Sequence, residues 1–428
     1  MKIAFHTLGC KVNQYEQAAL SAQLQKSGFQ IVGEHENPDV FVVNSCTVTA
    51  ESNRKTRQAV RHYKKIYPDC IMILTGCMAQ AFPEESKLIE GVDLIIGNTE
   101  YAEFSAILEE YISNRKKIFD VREHANGELF TELPAPNFSD RTRAYVKIED
   151  GCNRFCSYCI IPYARGRVRS RSLNSIKSEA KKLAGDGFAE IVLVGINLSA
   201  FGSDTGDRLC DAVDAVSSVD GIKRVRLGSL EPDQIDNDVL RRLADNPKFC
   251  PQFHLSLQSG CDRTLKMMNR HYDAAFYRDL IQRIRNIFPN PSITTDIMVG
   301  FAGETEEDFD ESLAFVKEIG FAKAHIFEYS RRAGTVAYNM LGQVSKAEKN
   351  RRSKLMINAT DKSALEFHLS QIGTTADVLF ERQSGGIFRG YTPNYTEVSA
   401  ESEVDISHKI IPVKITKADK SGCFGVLI

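Results

Sequence analysis

An excess of charge of one sign is what this sequence most conspicuously lacks. Its 54 Lys and Arg stand against 56 Asp and Glu, a net charge of −2 over 428 residues. The chain as a whole therefore carries no polyanion-binding signal, and any such signal has to be local. Long apolar runs are missing as well. Met1 to His6 is a short apolar opening that turns polar by Lys11, which predicts neither a signal peptide nor a membrane span. No Cys or His follows Cys159 for thirty residues, so a tetrahedral zinc site there would lack a nearby fourth ligand. What is present is 43% apolar and 26% charged, the make-up of a soluble globular protein. The length allows two or three domains. Eleven Cys in a chain that reads as unsecreted favour metal or redox chemistry over disulfides.

Cys152, Cys156 and Cys159 are spaced C-x3-C-x2-C, directly after the strand-like run Ala144 to Ile148. Thiolate is the preferred ligand of iron–sulfur clusters and of zinc. Three thiolates satisfy three irons of a cubane and leave the fourth open, and an open site is a catalytic one. A zinc site or reduced core thiols are the alternatives.

The first 125 residues alternate strands and helices. Strands are expected at Lys2–Thr7, Val40–Asn44, Ile71–Thr75 and Leu94–Gly97. Helices are expected through Tyr15, Ala18, Ala19 and Leu24 to Gly28, and over the basic stretch Asn53–Tyr67. That alternation implies a parallel sheet covered on both faces. Cys10, Cys46 and Cys77 each lie just past the C-terminal end of a strand, the edge at which open α/β sheets bind ligands. Three thiols from three loops could converge there although no C-x-x-C motif joins them. Small buried Cys that merely pack are the alternative. Cys70 precedes its strand and belongs at the opposite edge.

Glu123 to Asp140, with Pro134, Pro136 and Asn126-Gly127, reads as a linker, its core at 126–140. Six strand-like runs follow, at 143–149, 190–197, 224–230, 252–258, 292–300 and 323–330. Helices separate them, among others at 173–186, 233–245, 273–287 and 305–319, the last with a capping box from Thr305 and Asp308 and a Gly320 stop. Six βα units are too few for a closed eight-stranded barrel. A long charged helix, Ser345–Gln371, precedes five short strands at 375–381, 386–391, 395–399, 408–417 and 423–428, which suggest a small barrel. Phe388, Arg389, Tyr391, Lys414 and Lys417 are its candidate stacking and charged groups. Tyr163 to Lys177 contains Arg165, Arg167, Arg169, Arg171 and Lys177 with no acid. With the basic helix of Arg54, Lys55, Arg57, Arg61, Lys64 and Lys65, that run is a candidate phosphate-neutralising surface. A solvated helix face is the plainer reading of either cluster.

The C-x3-C-x2-C loop, with Tyr158 before its last Cys, resembles the radical S-adenosylmethionine (SAM) superfamily. Gly9-Cys10-Lys11-Val12-Asn13-Gln14-Tyr15-Glu16, Asn44-Ser45-Cys46-Thr47-Val48-Thr49 and Gly76-Cys77-Met78-Ala79-Gln80 resemble the N-terminal domain of the methylthiotransferases. The last five strands resemble a TRAM RNA-binding barrel. The resemblance implies an α/β domain at 1–125, a partial (β/α)6 radical SAM barrel at 141–371 and a TRAM-like barrel at 372–428. It implies two 4Fe-4S clusters, one on Cys152, Cys156 and Cys159 that chelates SAM, the other on Cys10, Cys46 and Cys77 that carries the sulfur to be inserted. SAM then serves both as methyl donor and as source of a 5′-deoxyadenosyl radical.

Tyr158, Gly195, Asn197, Glu231, Ser256, Arg270, Val299 and Phe327 match cofactor-binding segments, and Asp296 a catalytic position. Arg165, Arg167, Arg169, Arg171, Arg331, Arg332, Arg389 and Lys414 are the RNA-binding candidates. Singly, each polar group has a plainer reading; Glu231 before Pro232 could be a helix-start carboxylate, and Ser256 a core hydroxyl. Ala302 departs from the family pattern, which has Pro there, and this loosens a turn without touching chemistry. The opening motif is closest to the branch acting on N6-threonylcarbamoyladenosine of tRNA. Sister branches act on N6-isopentenyladenosine or on a ribosomal-protein aspartate. A non-enzymatic iron–sulfur RNA-binding or sensor protein is the alternative of another class. The resemblance further implies a cytoplasmic enzyme that needs an external electron donor, such as flavodoxin or ferredoxin, and a sulfur source.

Overall fold

Short, mainly apolar strands dominate the first 120 residues because both faces of the central ones are covered. In the computed structural model, which describes residues 1–136, 138 and 141–428, these strands are β1 (Lys2–Thr7), β2 (Gln30–Ile31), β3 (Val40–Ser45), β4 (Ile71–Gly76), β5 (Leu94–Ile96) and β6 (Ile118–Asp120). They form one parallel sheet in the order β2-β1-β3-β4-β5-β6. Every residue of β3 and β4 is buried, as expected of central parallel strands. On one face Val40, Val42, Ile71 and Ile73 meet Leu20 and Leu24 of α1 (Lys11–Lys26). On the other, Phe41, Val43, Met72 and Leu74 meet Val60 and Tyr63 of α2 (Ala50–Ile66). The edge strands β2 and β6 were not expected; at two and three residues they carry no period to read. The last residues of the expected linker, 137, 139 and 140, lie outside the described residues.

The second unit contains β7 (Ala144–Lys147), β8 (Glu149–Asp150), β9 (Arg169–Ser170), β10 (Glu190–Val194), β11 (Arg224–Leu227), β12 (Ser229–Leu230), β13 (Gln252–Leu255), β14 (Ser292–Val299) and β15 (Lys323–Glu328). Two parallel sheets, β11-β10-β7 and β12-β13-β14-β15, make an open barrel whose edges are β7 and β15. The expected third strand, 224–230, is split. Its first half pairs with β10, its second with β13, and the crossing falls at Gly228, whose N–H donates to Leu193 O at 2.9 Å. The expected first strand stops at Lys147. Beyond Ile148 the chain becomes β8, which pairs antiparallel with β9, so the loop bearing Cys152, Cys156 and Cys159 hangs from a two-stranded ribbon. The expected helix at 233–245 begins only at Asn237, capped by Asp236. The Thr305–Asp308 capping box and the left-handed Gly320 stop stand as expected. Outer helices cover the strands through Ile176, Ala180, Val213, Leu240, Tyr277 and Ile281. Tyr15 and Ala19 of α1 join this core, so α1 belongs to both units.

After the long helix Lys346–Ser370, strands β16 (Thr375–Ser384), β17 (Ile387–Tyr391), β18 (Glu397–Glu401), β19 (Ile410–Asp419) and β20 (Gly422–Leu427) close into a barrel. It docks at the N-terminal ends of β7, β10 and β11. Arg224 donates to Asp377 O (2.7 Å) and Tyr391 O (3.1 Å), and Arg226 to Pro393 O (2.9 Å) and to Glu190 (2.9 Å). The Arg143 guanidinium lies 4.9 Å from the rings of both Tyr391 and Tyr395, which stack on each other. Two expected stacking residues are thereby corrected. Phe388 is 3% exposed in the barrel core, and Tyr391 faces the neighbouring barrel. Arg389, Lys414 and Lys417 are exposed, although the Lys414 ammonium donates to Gly373 O at 2.6 Å.

Candidate active site

Three loops bring Cys10, Cys46 and Cys77 to the C-terminal edge of the first sheet, and two glycines make this possible. Gly9 has φ +104°, and a Cβ there would lie 2.8 Å from the Cys46 Cβ and 3.0 Å from its sulfur. Gly76 has φ +88°, and a Cβ would lie 2.4 Å from Asn44 Oδ1 and 2.5 Å from Ser45 O. Asn13 ties the loops together. Its amide donates to Leu8 O (2.8 Å) and Ser45 O (3.0 Å), and its Oδ1 lies 3.9 Å from both the Cys10 and the Cys77 sulfur. Cys10 is exposed, Cys46 and Cys77 buried. Burial pushes the Cys77 thiol up to about 12 against the pull of Arg165. The convergence expected from strand-end positions is thus what the fold produces. Cys70 sits at the opposite edge, as its position predicts, under the basic helix α2.

The second trio sits at the mouth of the open barrel. Cys152, Cys156 and Cys159 are each half-buried. The Arg154 N–H donates to the Cys152 sulfur at 3.5 Å, and the Arg270 guanidinium to that of Cys156 at 3.2 Å. Phe155, between them, takes a left-handed φ of 48°. Burial raises the Cys152 and Cys159 thiols to about 12. Among the described residues no three His, Cys, Asp or Glu side chains close to the spacing of one metal ion. The donor set here is thiols with N–H donors aimed at sulfur. That is the chemistry that holds and tunes an iron–sulfur cluster; the first trio has one such donor, Arg165 Nε at 3.2 Å from the Cys77 sulfur, and both trios fit a cluster on this ground.

The other expected site residues fall into place unevenly. Arg270 is the hub below the Cys loop. It pairs with Glu231 at 2.6 Å, donates to Ser256 O at 3.0 Å and lies 3.5 Å from the Tyr158 hydroxyl. Desolvation raises the Glu231 carboxyl in spite of Arg270. The Ser256 contribution is its carbonyl. Asn197 donates its backbone N–H to Glu149 at 2.8 Å, and a Cβ on Gly195 would lie 2.6 Å from the same carboxylate. Burial, then the neighbouring Asp150 charge, raises Glu149 well above the usual carboxylate range. Asp296 pairs with His254 Nε2 at 3.2 Å. Val299 is corrected: its side chain is 1% exposed within the outer core, because the strand alternation turns it away from the mouth and presents Met298 there instead.

The arginine run is corrected in the same way. Arg165, Arg169 and Arg171 are buried. Arg165 grips Glu16 and Asn13, Arg169 reaches Glu128 at 3.3 Å, and Arg171 pairs with Glu179 and Glu132. Glu16, Glu128 and Glu132 from distant segments, with Glu179 just past the run, neutralise a stretch that contains no acid of its own, and of its four arginines only Arg167 is exposed. Arg332 is buried too, donating to Thr47 Oγ1 at 2.7 Å beside the Cys46 loop, and desolvation lowers its pKa. Arg331 is exposed over the Tyr338 ring. On α2, Arg54, Arg57 and Lys64 pair with Glu51, Glu85 and Asp93, while Lys55, Arg61 and Lys65 stand exposed.

A cavity of about 190 Å³ lies between the Cys46 loop and the Cys159 loop, with Cys159 the one thiol of the two trios in its lining. Val48 and Thr49 enter it from the Cys46 loop, Tyr158 to Ile161 from the Cys159 loop, and Gln258, Asp296, Met298, Phe327 and Tyr329 from the barrel. Its lining is mainly apolar. A larger groove of about 600 Å³, between Gln80, Arg122, His124 and Arg167, is reached by none of the six cysteines. The smaller cavity is the candidate site, because Cys159 lines it and Val48 and Thr49 reach it from beside Cys46. Met298, Gln258, Tyr329, Asn13 and Glu16 are site residues that the sequence reading had not assigned a role. The alternation that turns Val299 away from the mouth points to Met298.

Residues 2–97 match the profile of uncharacterized protein family UPF0004, and residues 146–316 that of the radical SAM superfamily. The chain is 37% identical over 425 residues to threonylcarbamoyladenosine tRNA methylthiotransferase MtaB of Bacillus subtilis, covering 97% of this chain and 94% of that protein. It is 35% identical to tRNA-2-methylthio-N(6)-dimethylallyladenosine synthase of Pelotomaculum thermopropionicum, covering 98% and 96%. Among solved structures, the radical SAM methyltransferase TsrM of Kitasatospora setae matches with a TM-score of 0.58 at 13% identity, over 91% of this chain and 80% of that one. This last likeness concerns the fold alone.

Proposed function

The chain belongs to the radical SAM tRNA methylthiotransferases, and on that premise we propose that it adds a methylthio group to C2 of N6-threonylcarbamoyladenosine beside the tRNA anticodon. The observation that supports this reading is a cavity walled by Cys159 of one trio and by Val48 and Thr49, which follow Cys46 of the other. A sulfur-bearing site and a radical-generating site must reach the same carbon, and only groups held in a near-attack geometry gain the entropic advantage of a preassembled site. The cluster on Cys152, Cys156 and Cys159 with SAM supplies reductive cleavage and hydrogen abstraction, and the one on Cys10, Cys46 and Cys77 supplies sulfur. The chain's own residues hold and orient. Arg270 donates to Cys156 and fixes Glu231, while Tyr158, Met298 and Phe327 wall the cavity against water. Asp296, paired with His254, lines it with Thr49, Gln258, Glu328 and Ser330 as its polar groups. An external electron donor, a sulfur source and a cytoplasmic setting complete the reading.

The threonylcarbamoyl branch is supported by the names of the relatives at 37% identity. A specific observation favours a second reading. The cavity walls are largely apolar, which suits an isopentenyl group, and the relative at 35% identity bears a dimethylallyladenosine name. The test offers the purified enzyme two anticodon stem-loops, one with each modification. A site built around hydrogen bonds rejects an analogue lacking them by roughly ten-thousandfold. Preferential methylthiolation of the isopentenyl RNA, read by nucleoside mass spectrometry, would overturn the branch and leave the family standing.

A further inference from the structure

Arg165 is, with Arg226, among the largest fully buried side chains of the described residues, and its place between the two thiol sites is not explained by either site alone. It ends the short helical turn Ile161–Arg165, six positions beyond Cys159, yet its guanidinium lies within the first unit. Nε donates to the Cys77 sulfur at 3.2 Å, and Nη2 to Asn13 Oδ1 at 2.8 Å and Glu16 Oε2 at 2.9 Å. Glu16 also takes the Lys147 ammonium at 2.7 Å, and Lys147 reaches Asp150 at 2.5 Å. Two cations from the barrel and one acid from each unit therefore form a buried network, with Arg169 at 3.7 Å from Asp150 on its flank. A buried ion pair is weak evidence for stability but good evidence for a fixed geometry when every member is satisfied. The only contact in the network that stability does not call for is the one to sulfur.

We propose that Arg165 is a positioning residue of the Cys10–Cys46–Cys77 site, one that sets the electronic character of that site through the Cys77 sulfur and holds it at a fixed place relative to the Cys152–Cys159 loop. The proposal rests on reading that trio as cluster ligands. A hydrogen bond and a positive charge at a thiolate sulfur favour the more reduced, more negative state and raise the potential of the cluster it ligates. Glu16, an acid equally buried at the same place, acts in the opposite sense. The pair thus balances a charge that would otherwise be set by burial alone.

The test uses the full chain with Cys152, Cys156 and Cys159 replaced by Ala, so that only the N-terminal site reports. It is reconstituted anaerobically with iron and sulfide and titrated against potential by electron paramagnetic resonance. Four irons are expected; if none binds, it is the cluster reading that fails. With iron bound, Arg165→Lys should lower the potential, Arg165→Gln should lower it further, and Glu16→Gln should raise it, all at unchanged iron content. Arg165 variants that bind iron at the parent's potential and line shape overturn the inference and reduce Arg165 to a clamp between units. Should the Arg165 variants fail to fold, Glu16→Gln decides, and an unshifted potential there overturns it too.

Discussion

Gly76 shows how much of the N-terminal site hangs on one residue. At φ +88°, with Asn44 Oδ1 and Ser45 O in the place of a Cβ, no other residue lets Cys77 lie beside the end of β3. Gly76→Ala should cost more than about 1 kcal/mol, the amount by which Ala destabilises a left-handed position even without a clash. It should also shed the iron bound by Cys10, Cys46 and Cys77 while leaving that of the other trio. Cys10→Ala, Cys46→Ala or Cys77→Ala should likewise halve the roughly eight irons of a reconstituted chain with two cubanes. Iron analysis with thermal denaturation checks both, and full iron in Gly76→Ala would show that the loop can rebuild around a side chain. At this scale the sequence was partly legible. The six thiols could be picked out from spacing and strand ends, because both are local properties. The burial of Arg165, Arg169 and Arg171 could not, since Glu16, Glu128 and Glu132 neutralise them from far along the chain, with Glu179 just beyond the run.

Elements were the most readable level. Period and caps located β1, β3, β4, α1 and α2 and the main barrel strands to within a few residues, as apolar runs bounded by turns should. The ribbon of β8 and β9 escaped, because two residues a strand leave no pattern. The split of the third barrel strand at Gly228 escaped because only the pairing partner reveals it. The helix Glu306–Ile319 offers a quantitative test of a feature that was legible. Asp308 accepts from the Thr305 N–H at 2.7 Å and from Arg263 Nε at 2.8 Å. The Arg263 bond, outweighing burial, holds the Asp308 carboxyl well below the usual carboxylate range. A depressed acid contributes stability that is present above the unfolded value of about 3.9 and lost as pH falls through the lower folded value. Asp308→Asn should therefore cost about 1 kcal/mol at neutral pH, mostly as lost capping, since half-exposed Arg263 adds little. The deficit should shrink as the pH is taken below 4. A deficit independent of pH down to acid denaturation would mean that the carboxylate charge is not what the cap uses.

At the scale of the whole molecule, the question is what the closed C-terminal barrel does. Truncation after Gln371 looks like the direct test, but the docking surface makes it a poor one. It would strip Arg224 and Arg226 of the carbonyls of Asp377, Tyr391, Thr392 and Pro393, leaving buried guanidinium groups facing Glu190 alone. A loss of RNA affinity could then report damage to the neighbouring barrel. Exposed charge offers a cleaner probe. Arg389 and Lys417 are both exposed on the small barrel and take no part in docking, so Arg389→Ala with Lys417→Ala should leave the melting temperature unchanged. If each meets a phosphate of the tRNA, the slope of log K against log salt should fall by about 0.7 to 0.9 per contact, roughly 1.5 for the pair. Lys55→Ala with Arg61→Ala on α2, whose N-terminus follows the Cys46 loop at the cavity, tests the competing cationic face in the same assay. A slope moved by the α2 pair and untouched by the barrel pair would make the barrel a structural cap on β7, β10 and β11, and would put the RNA path along the first unit.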